Sequence, residues 1–256
     1  MNMTYFNAEK TRDNLVQWIK DWFEKNGPTS RAVIGISGGK DSTVVAALCA
    51  RALGKDRVLG VLMPNGEQKD IDDSFKVCEA LGIQHITVNI KDAYKGLAEN
   101  VLGALRDFDD VTQLSEQTTI NIAPRLRMTT LYAVSQTVGG RVINTSNKSE
   151  AMTGYFTRWG DECGDMKPLI NLLKNEVVAI GLTMPEIPRE LVEKAPSDGL
   201  TGKTDEDKIG FTYDALDRYL RWDGGIDDEV ATKIKDRLSE TNFKRNPIPS
   251  FNPWAI

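Results

Sequence analysis

The run Ser37-Gly38-Gly39-Lys40-Asp41-Ser42 places two hydroxyls, two glycines, an ammonium and a carboxylate within six residues. It follows the apolar stretch "RAVIGI" (31–36) and precedes the helix-like "TVVAALCARAL". Glycines at a strand-to-helix turn let backbone N–H groups approach an anion, and the helix that follows points its positive end at it. The run is not the Walker A pattern. Gly39-Lys40 is followed by Asp41 rather than a hydroxyl residue, and Ile34 stands where that pattern needs its first glycine. Asp41 decides the chemistry. A carboxylate beside a phosphate repels it unless a metal lies between, and magnesium favours one or two carboxylates plus phosphate oxygens. Gly35, Ile36, Ser37, Gly38, Gly39, Lys40, Asp41 and Ser42 therefore read as an ATP-phosphate loop, with Asp41 as a Mg²⁺ ligand. The competing reading is a glycine turn with Asp41 as a helix N-cap.

The elements around this loop follow from periodicity. Leu15, Trp18, Ile19, Trp22 and Phe23 recur at helical spacing over 7–25, and Gly27-Pro28 closes that helix. Strands are predicted over 31–36, 57–64 and 84–90, each followed by a helix, over 42–53, 70–81 and 91–105. Such repeats with short connections predict a doubly wound, mainly parallel α/β sheet with helices on both faces, folded as one domain over 1–256. Further on, the sequence predicts a polar loop over 106–118, a helix after Pro124, and a strand over 141–145. Helices are predicted over 171–181, 208–222 and 226–241. Residues 154–168 and 195–207 read as long loops, a common place for functional groups.

Composition narrows the function classes. The chain has 256 residues, 27% charged and 40% hydrophobic, with a net charge of -5. No overall basic field draws it to nucleic acid or to an anionic membrane. No segment approaches 18 uninterrupted apolar residues, and Cys49, Cys78 and Cys163 form no C-x-x-C pair. These features predict a cytoplasmic protein with reduced thiols. The single histidine, His85, argues against histidine-rich zinc sites and a Ser-His-Asp triad.

The complete S-G-G-K-D-S run after an apolar strand resembles the pyrophosphatase loop of the N-type ATP-pyrophosphatases, whose sheet is of the adenine nucleotide alpha hydrolase-like kind. "LMPNGEQ" (62–68), "NIAPRLRMTTLY" (121–132), "NTSNKSE" (144–150), "GYFTRWGDECGDMKPL" (154–169), "KAPSDGLTGKTDEDKIGFTYDALDRYL" (194–220) and "KRNPIP" (244–249) resemble, in order, the ammonia-dependent NAD synthetases. The resemblance spans nearly the whole chain and implies no glutaminase domain. It implies conversion of deamido-NAD to NAD with ATP and ammonia, through an acyl-adenylate, with release of AMP and pyrophosphate. It implies Mg²⁺ on Asp41 and Glu150, catalytic roles for Asp41, Glu150 and Lys174, and ATP contacts from Thr145, Lys174 and Ser197. Arg125, Arg158, Asp165, Phe243 and Lys244 match deamido-NAD-binding positions, and the family pattern implies a homodimer. Some positions depart from it. Arg158 stands in place of a lysine, Phe243 in place of a histidine, and Glu162-Cys163 interrupt a glycine-rich loop. Rival readings are a tRNA-modifying ATP-pyrophosphatase, against which the acidic balance argues, and a non-catalytic nucleotide sensor, against which the retained Asp41 and Glu150 argue.

Overall fold

The computed structural model describes residues 6–194, 205–221 and 224–254. Four short aliphatic runs form one parallel sheet: β1 (Arg31–Gly35), β2 (Val58–Leu62), β3 (Gln84–Thr87) and β4 (Gly140–Ile143), in the order β3-β2-β1-β4. Every residue of β2 is buried, as is the middle of β1, because helices cover the sheet on both sides. On one face Ala32, Ile34, Leu62 and Ile143 pack against three helices, α1 (Ala8–Asn26), α2 (Lys40–Leu53) and α3 (Ile71–Leu81). On the other, Val33, Leu59, Val61 and Met63 meet the helices α4 (Lys91–Asp109) and α5 (Glu116–Thr137). The alternation of Ala32, Val33 and Ile34 between the two cores is the period of two that a strand imposes.

Among the described residues, seven further helices follow. These are α6 (Lys148–Thr153), α7 (Lys174–Gly181), α8 (Arg189–Glu193), α9 (Asp205–Ile209), α10 (Tyr213–Arg221), α11 (Asp228–Glu240) and α12 (Asn242–Arg245). Helices α7 and α8 join the first core through Val177, Ile180 and Leu191. Helices α9 to α11 enclose a small core of their own, with Ile209, Phe211, Leu216 and Ile234.

Several boundaries differ from the sequence expectation. The helix expected after Pro124 starts at Glu116, with Pro124 inside it. Proline there removes one hydrogen bond, but the Ser115 side chain caps the N-terminus by accepting from Thr118 N, and Ile122 and Ala123 are buried. The loop expected over 106–118 shrinks accordingly, because α4 runs on to Asp109. The helix expected over 208–222 is split at Gly210, whose φ of +82° no right-handed helix accommodates. Helices α6 and α8 were not legible; at six and five residues they are too short to show periodicity.

The connectivity places the site. From β1 the chain steps outward to β2 and β3, then returns to the far side of β1 for β4. That reversal opens a crevice at the carboxyl ends of β1 and β4, where doubly wound sheets collect ligands.

Candidate active site

The loop leaving β1 is set before any ligand arrives. Ser42 Oγ accepts from Ser37 N at 3.3 Å and donates to Gly39 O at 3.1 Å, while Thr43 Oγ1 donates to the same carbonyl at 2.8 Å. Gly38 has φ +76°, and a Cβ on it would stand 2.8 Å from Asp73 Cβ, so conformation and space both demand glycine. Behind the loop, a Cβ on Gly35 would stand 3.1 Å from Met63 Cε, and Ile36 N donates to Val61 O at 3.0 Å. Lys40 opens α2 next to Asp41, and its charge favours the Asp41 carboxylate.

The loop leaving β4 meets it. Asn147 caps α6, its Oδ1 accepting from Glu150 N at 3.0 Å while Glu150 Oε2 accepts from Asn147 N at 3.4 Å. This reciprocal capping box fixes Glu150. The other end of the same amide, Asn147 Nδ2, donates to Asp41 Oδ1 at 3.0 Å. One asparagine thus holds both carboxylates. Lys174, buried at the start of α7, places its Nζ 3.6 Å from Glu150 Oε1 and 3.7 Å from the centroid of the Tyr213 ring. Around these groups lies a cavity of about 170 Å³ lined by Ser37, Gly39, Asp41, Ser42, Thr145, Ser146, Glu150 and Asp161. Ligand pockets usually span ~300–1,000 Å³, so this cavity has the size of a phosphate group and its counter-ion rather than of a nucleotide.

Its electrostatics call for a cation. Burial pushes Asp41 above the usual carboxylate range, against the pull of Lys174 and the Asn147 hydrogen bond. Burial, and then the charge on Asp41, push Glu150 up to about 8. Asp161 reaches the cavity mouth, yet the protein packed around its carboxyl raises it as well. Two carboxylates held apart from bulk water suit a hard dication that takes its remaining ligands from phosphate and water. Among the described residues no group of three or more His, Cys, Asp or Glu could hold a metal alone. A cation at Asp41 and Glu150 would therefore need further ligands from outside this set of side chains.

The loop over 154–168 walls one side. Asn144 Nδ2 donates to Asp161 O and Cys163 O at 2.9 and 3.1 Å, and Thr157 N donates to Asp161 Oδ1 at 2.9 Å. A Cβ on Gly164 would come within 2.8 Å of Asn144 Cβ, so the loop reaches β4 only with glycine there. Three of the residues matched to the dinucleotide bond to this loop or lie within it. Arg125 donates to Arg158 O at 3.4 Å, and Arg158 donates to Asn246 O at 3.3 Å. Lys244 Nζ donates to Gly154 O at 2.7 Å and to Phe156 O at 2.9 Å. Phe243 is 60% exposed beside it. Asp165 is placed apart: its Oδ2 accepts from Val142 N at 2.8 Å, which ties it to the edge of β4. Ser197 lies outside the described residues.

Sequence reasoning missed Asn147, Ser146 and Asp161. Asn147 had a signal, since a cap three residues before a glutamate is the capping-box spacing. Asp161 had none, because only the folded loop brings it to the cavity.

Known proteins resemble the chain over most of its length. A family model described as NAD synthase matches residues 11–248. An NH3-dependent NAD(+) synthetase of Pyrococcus horikoshii is 39% identical over 261 residues, covering 95% of this chain and 97% of its own. Among solved structures, that of NMN synthetase from Francisella tularensis has a TM-score of 0.84 at 33% identity, covering 96% of this chain and 99% of its own. The NH3-dependent NAD synthetase from Campylobacter jejuni has a TM-score of 0.74 at 26% identity, covering 96% of this chain and all of its own.

Proposed function

The chain belongs to the NAD synthase family, and from that premise we propose that the cavity between β1 and β4 amidates a nicotinate carboxylate at the expense of ATP. On this reading the chain acts as its relatives are named, as an NH3-dependent NAD synthetase, a ligase at the final step of NAD biosynthesis. The observation that carries the reading is the convergence of the phosphate-loop hydroxyls, Asp41 and Glu150 on one small polar cavity, with the buried Lys174 ammonium 3.6 Å behind Glu150.

In this reading the carboxylate oxygen of deamido-NAD attacks the α-phosphorus of ATP, and the bond to the β-phosphate oxygen breaks, releasing pyrophosphate. Ammonia then attacks the acyl carbon, loses a proton, and AMP leaves as the amide forms. The protein's part is alignment and charge neutralisation. Ser37, Ser42 and the Gly38-Gly39 amides bind phosphate oxygens at the positive end of α2. Asp41 and Glu150 hold Mg²⁺, which when bound neutralises the developing pyrophosphate. Lys174, beside Glu150, adds positive charge for the same phosphates, and Thr145 and Ser197 complete the ATP contacts. Arg125, Arg158, Lys244, Phe243 and Asp165 bind the dinucleotide. The enzyme works in the cytoplasm as one synthetase domain supplied with free ammonia, and two copies associate through the apolar outer face of α5.

Product analysis tests the reaction. Protein incubated with ATP, Mg²⁺, ammonium and deamido-NAD should form NAD, AMP and pyrophosphate in equal amounts, and Asp41→Ala should form none. Release of ADP would overturn the reading of the loop. A second reading has the Francisella structure in its favour, since that protein is an NMN synthetase and has the higher TM-score of the two solved structures. The acid would then be nicotinate mononucleotide, amidated by the same steps. Parallel assays on the two acids separate them: a kcat/KM at least about tenfold higher for deamido-NAD, about 1.4 kcal/mol, is expected, and the reverse ratio would establish the mononucleotide reading.

A further inference from the structure

Helix α10 is not among the elements that carry cavity residues, yet it touches the machinery at three successive points. Tyr213, Asp217 and Arg221 recur every four residues and so share one face of that helix. That face meets the first turn of α7 residue by residue. The Tyr213 ring lies under Lys174 Nζ at 3.7 Å, Asp217 reaches the Asn175 amide, and Arg221 pairs with Glu176.

The first turn of α7 needs such help. Its initial amides have no partner within the helix, and the residue at its N-cap is Leu173, whose side chain can accept nothing. Asp217 supplies the missing cap from 42 residues further along the chain. Its Oδ2 accepts from Asn175 N at 3.1 Å. Its Oδ1 accepts from Ser149 Oγ at 2.5 Å, and Ser149 Oγ in turn accepts from Lys174 N at 3.0 Å. Asp217 is only 5% exposed and Ser149 is fully buried, so neither interaction is shared with solvent. Ser149 directly precedes Glu150, and Lys174 is the residue that faces Glu150.

We propose that Asp217 is a positioning residue for the catalytic centre: through Ser149 and the first turn of α7 it sets where Glu150 and Lys174 stand relative to the phosphate loop. An acidic group at a helix N-terminus is also favoured by the helix dipole, which suits a carboxylate to this place better than an amide. The proposal deepens the reading above, because it rests on the assignment of Glu150 and Lys174 to the metal and the phosphates.

The test uses the full chain with two variants, Asp217→Ala and Ser149→Ala, and two readouts. The first is the affinity for Mg·ATP by titration calorimetry, which does not depend on which acid is amidated. The second is kcat with the separate KM values for ATP and for the pyridine nucleotide. Groups that orient ligand-bearing side chains are typically worth 10- to 100-fold. Asp217→Ala should weaken Mg·ATP binding and lower kcat by that factor while the pyridine-nucleotide KM stays within about twofold. Asp217→Glu, which keeps the carboxylate, should recover part of the loss. Ser149→Ala leaves the Asp217 contact to Asn175 intact, and should move the same two quantities in the same direction. The double variant should be no worse than Asp217→Ala, since both act on one path. If Asp217→Ala does not fold, Ser149→Ala decides. Mg·ATP affinity and kcat within twofold of wild type in a folded Asp217→Ala or in Ser149→Ala would overturn the proposal, as would a uniform loss that also moved the pyridine-nucleotide KM. Wild-type protein that binds Mg·ATP but forms no NAD would instead count against the reaction, and leave the calorimetric test standing.

Discussion

Glu150 sits where burial makes its charge costly, at the place proposed above for a magnesium ligand. It shares a largely buried cavity with Asp41, and burial together with that neighbour pushes it up to about 8. Removing the charge while keeping the shape should therefore separate stability from activity, the trade-off expected of a functional site. Glu150→Gln keeps an acceptor for Asn147 N, so the capping box survives. Without Mg²⁺ the variant should melt about 2–5 °C above wild type, the shift that ~1–2 kcal/mol produces in a chain of this size. Its turnover should fall by more than 100-fold. Differential scanning calorimetry beside the product assay checks both halves; an unchanged or lower melting temperature would mean that the two carboxylates do not strain the unliganded protein. Asn147→Ala should move the melting temperature the other way. It removes an N-cap worth about 1 kcal/mol together with the amide that ties Asp41 to the β4 loop, so both melting temperature and kcat should drop.

Among the elements, the loop over 154–168 has the most to gain from the tail that closes over it. Lys244 of α12 donates to two carbonyls at its start, and Arg158 within it donates to the tail at Asn246. Lys244→Ala should free the loop's first residues and raise the KM for the pyridine nucleotide about tenfold, leaving the ATP KM within twofold; equal effects on both would show that the loop supports the ATP half as well. The same elements show what the sequence could and could not disclose. The parallel sheet and the glycine turn that carries Asp41 were legible because aliphatic runs ending in glycine or proline leave little choice of structure, and Asp41 stood out because it is chemically out of place unless a metal joins it. The start of α5 was not, since a proline reads as a boundary until burial of Ile122 and Ala123 is known to outweigh it. Asp217 looked like any acidic residue on a surface helix. Its partners, Ser149 and Asn175, are 68 and 42 residues away, and no local pattern records contacts of that span.

At the scale of the whole molecule, the outer side of α5 is the face a solitary protein would have most reason to cover. A groove of about 540 Å³ runs along it, lined by Ile86, Val88, Leu126, Ala133, Val134 and Val138. Ile86 and Val138 are more than a third exposed, and the neighbouring edge strand β3 is exposed along its whole length. The occupant proposed above is a second copy. Both copies carry a net charge of -5, so long-range electrostatics oppose the pairing and the apolar face has to supply the attraction. Arg125 stands one and two turns before Thr129 and Ala133 of the groove, at four-residue spacing, so pairing through this face would bring the proposed dinucleotide residue to the interface. Ala133 is exposed, and Ala133→Arg should put a cation into the contact without disturbing either core. Light scattering should find wild type at twice the chain mass and the variant at the chain mass, with Mg·ATP affinity preserved and the pyridine-nucleotide KM raised at least about tenfold. A variant that still pairs would put the interface elsewhere. A monomer with an unchanged pyridine-nucleotide KM would show that each chain binds its dinucleotide alone, and Arg125 would then act within its own subunit.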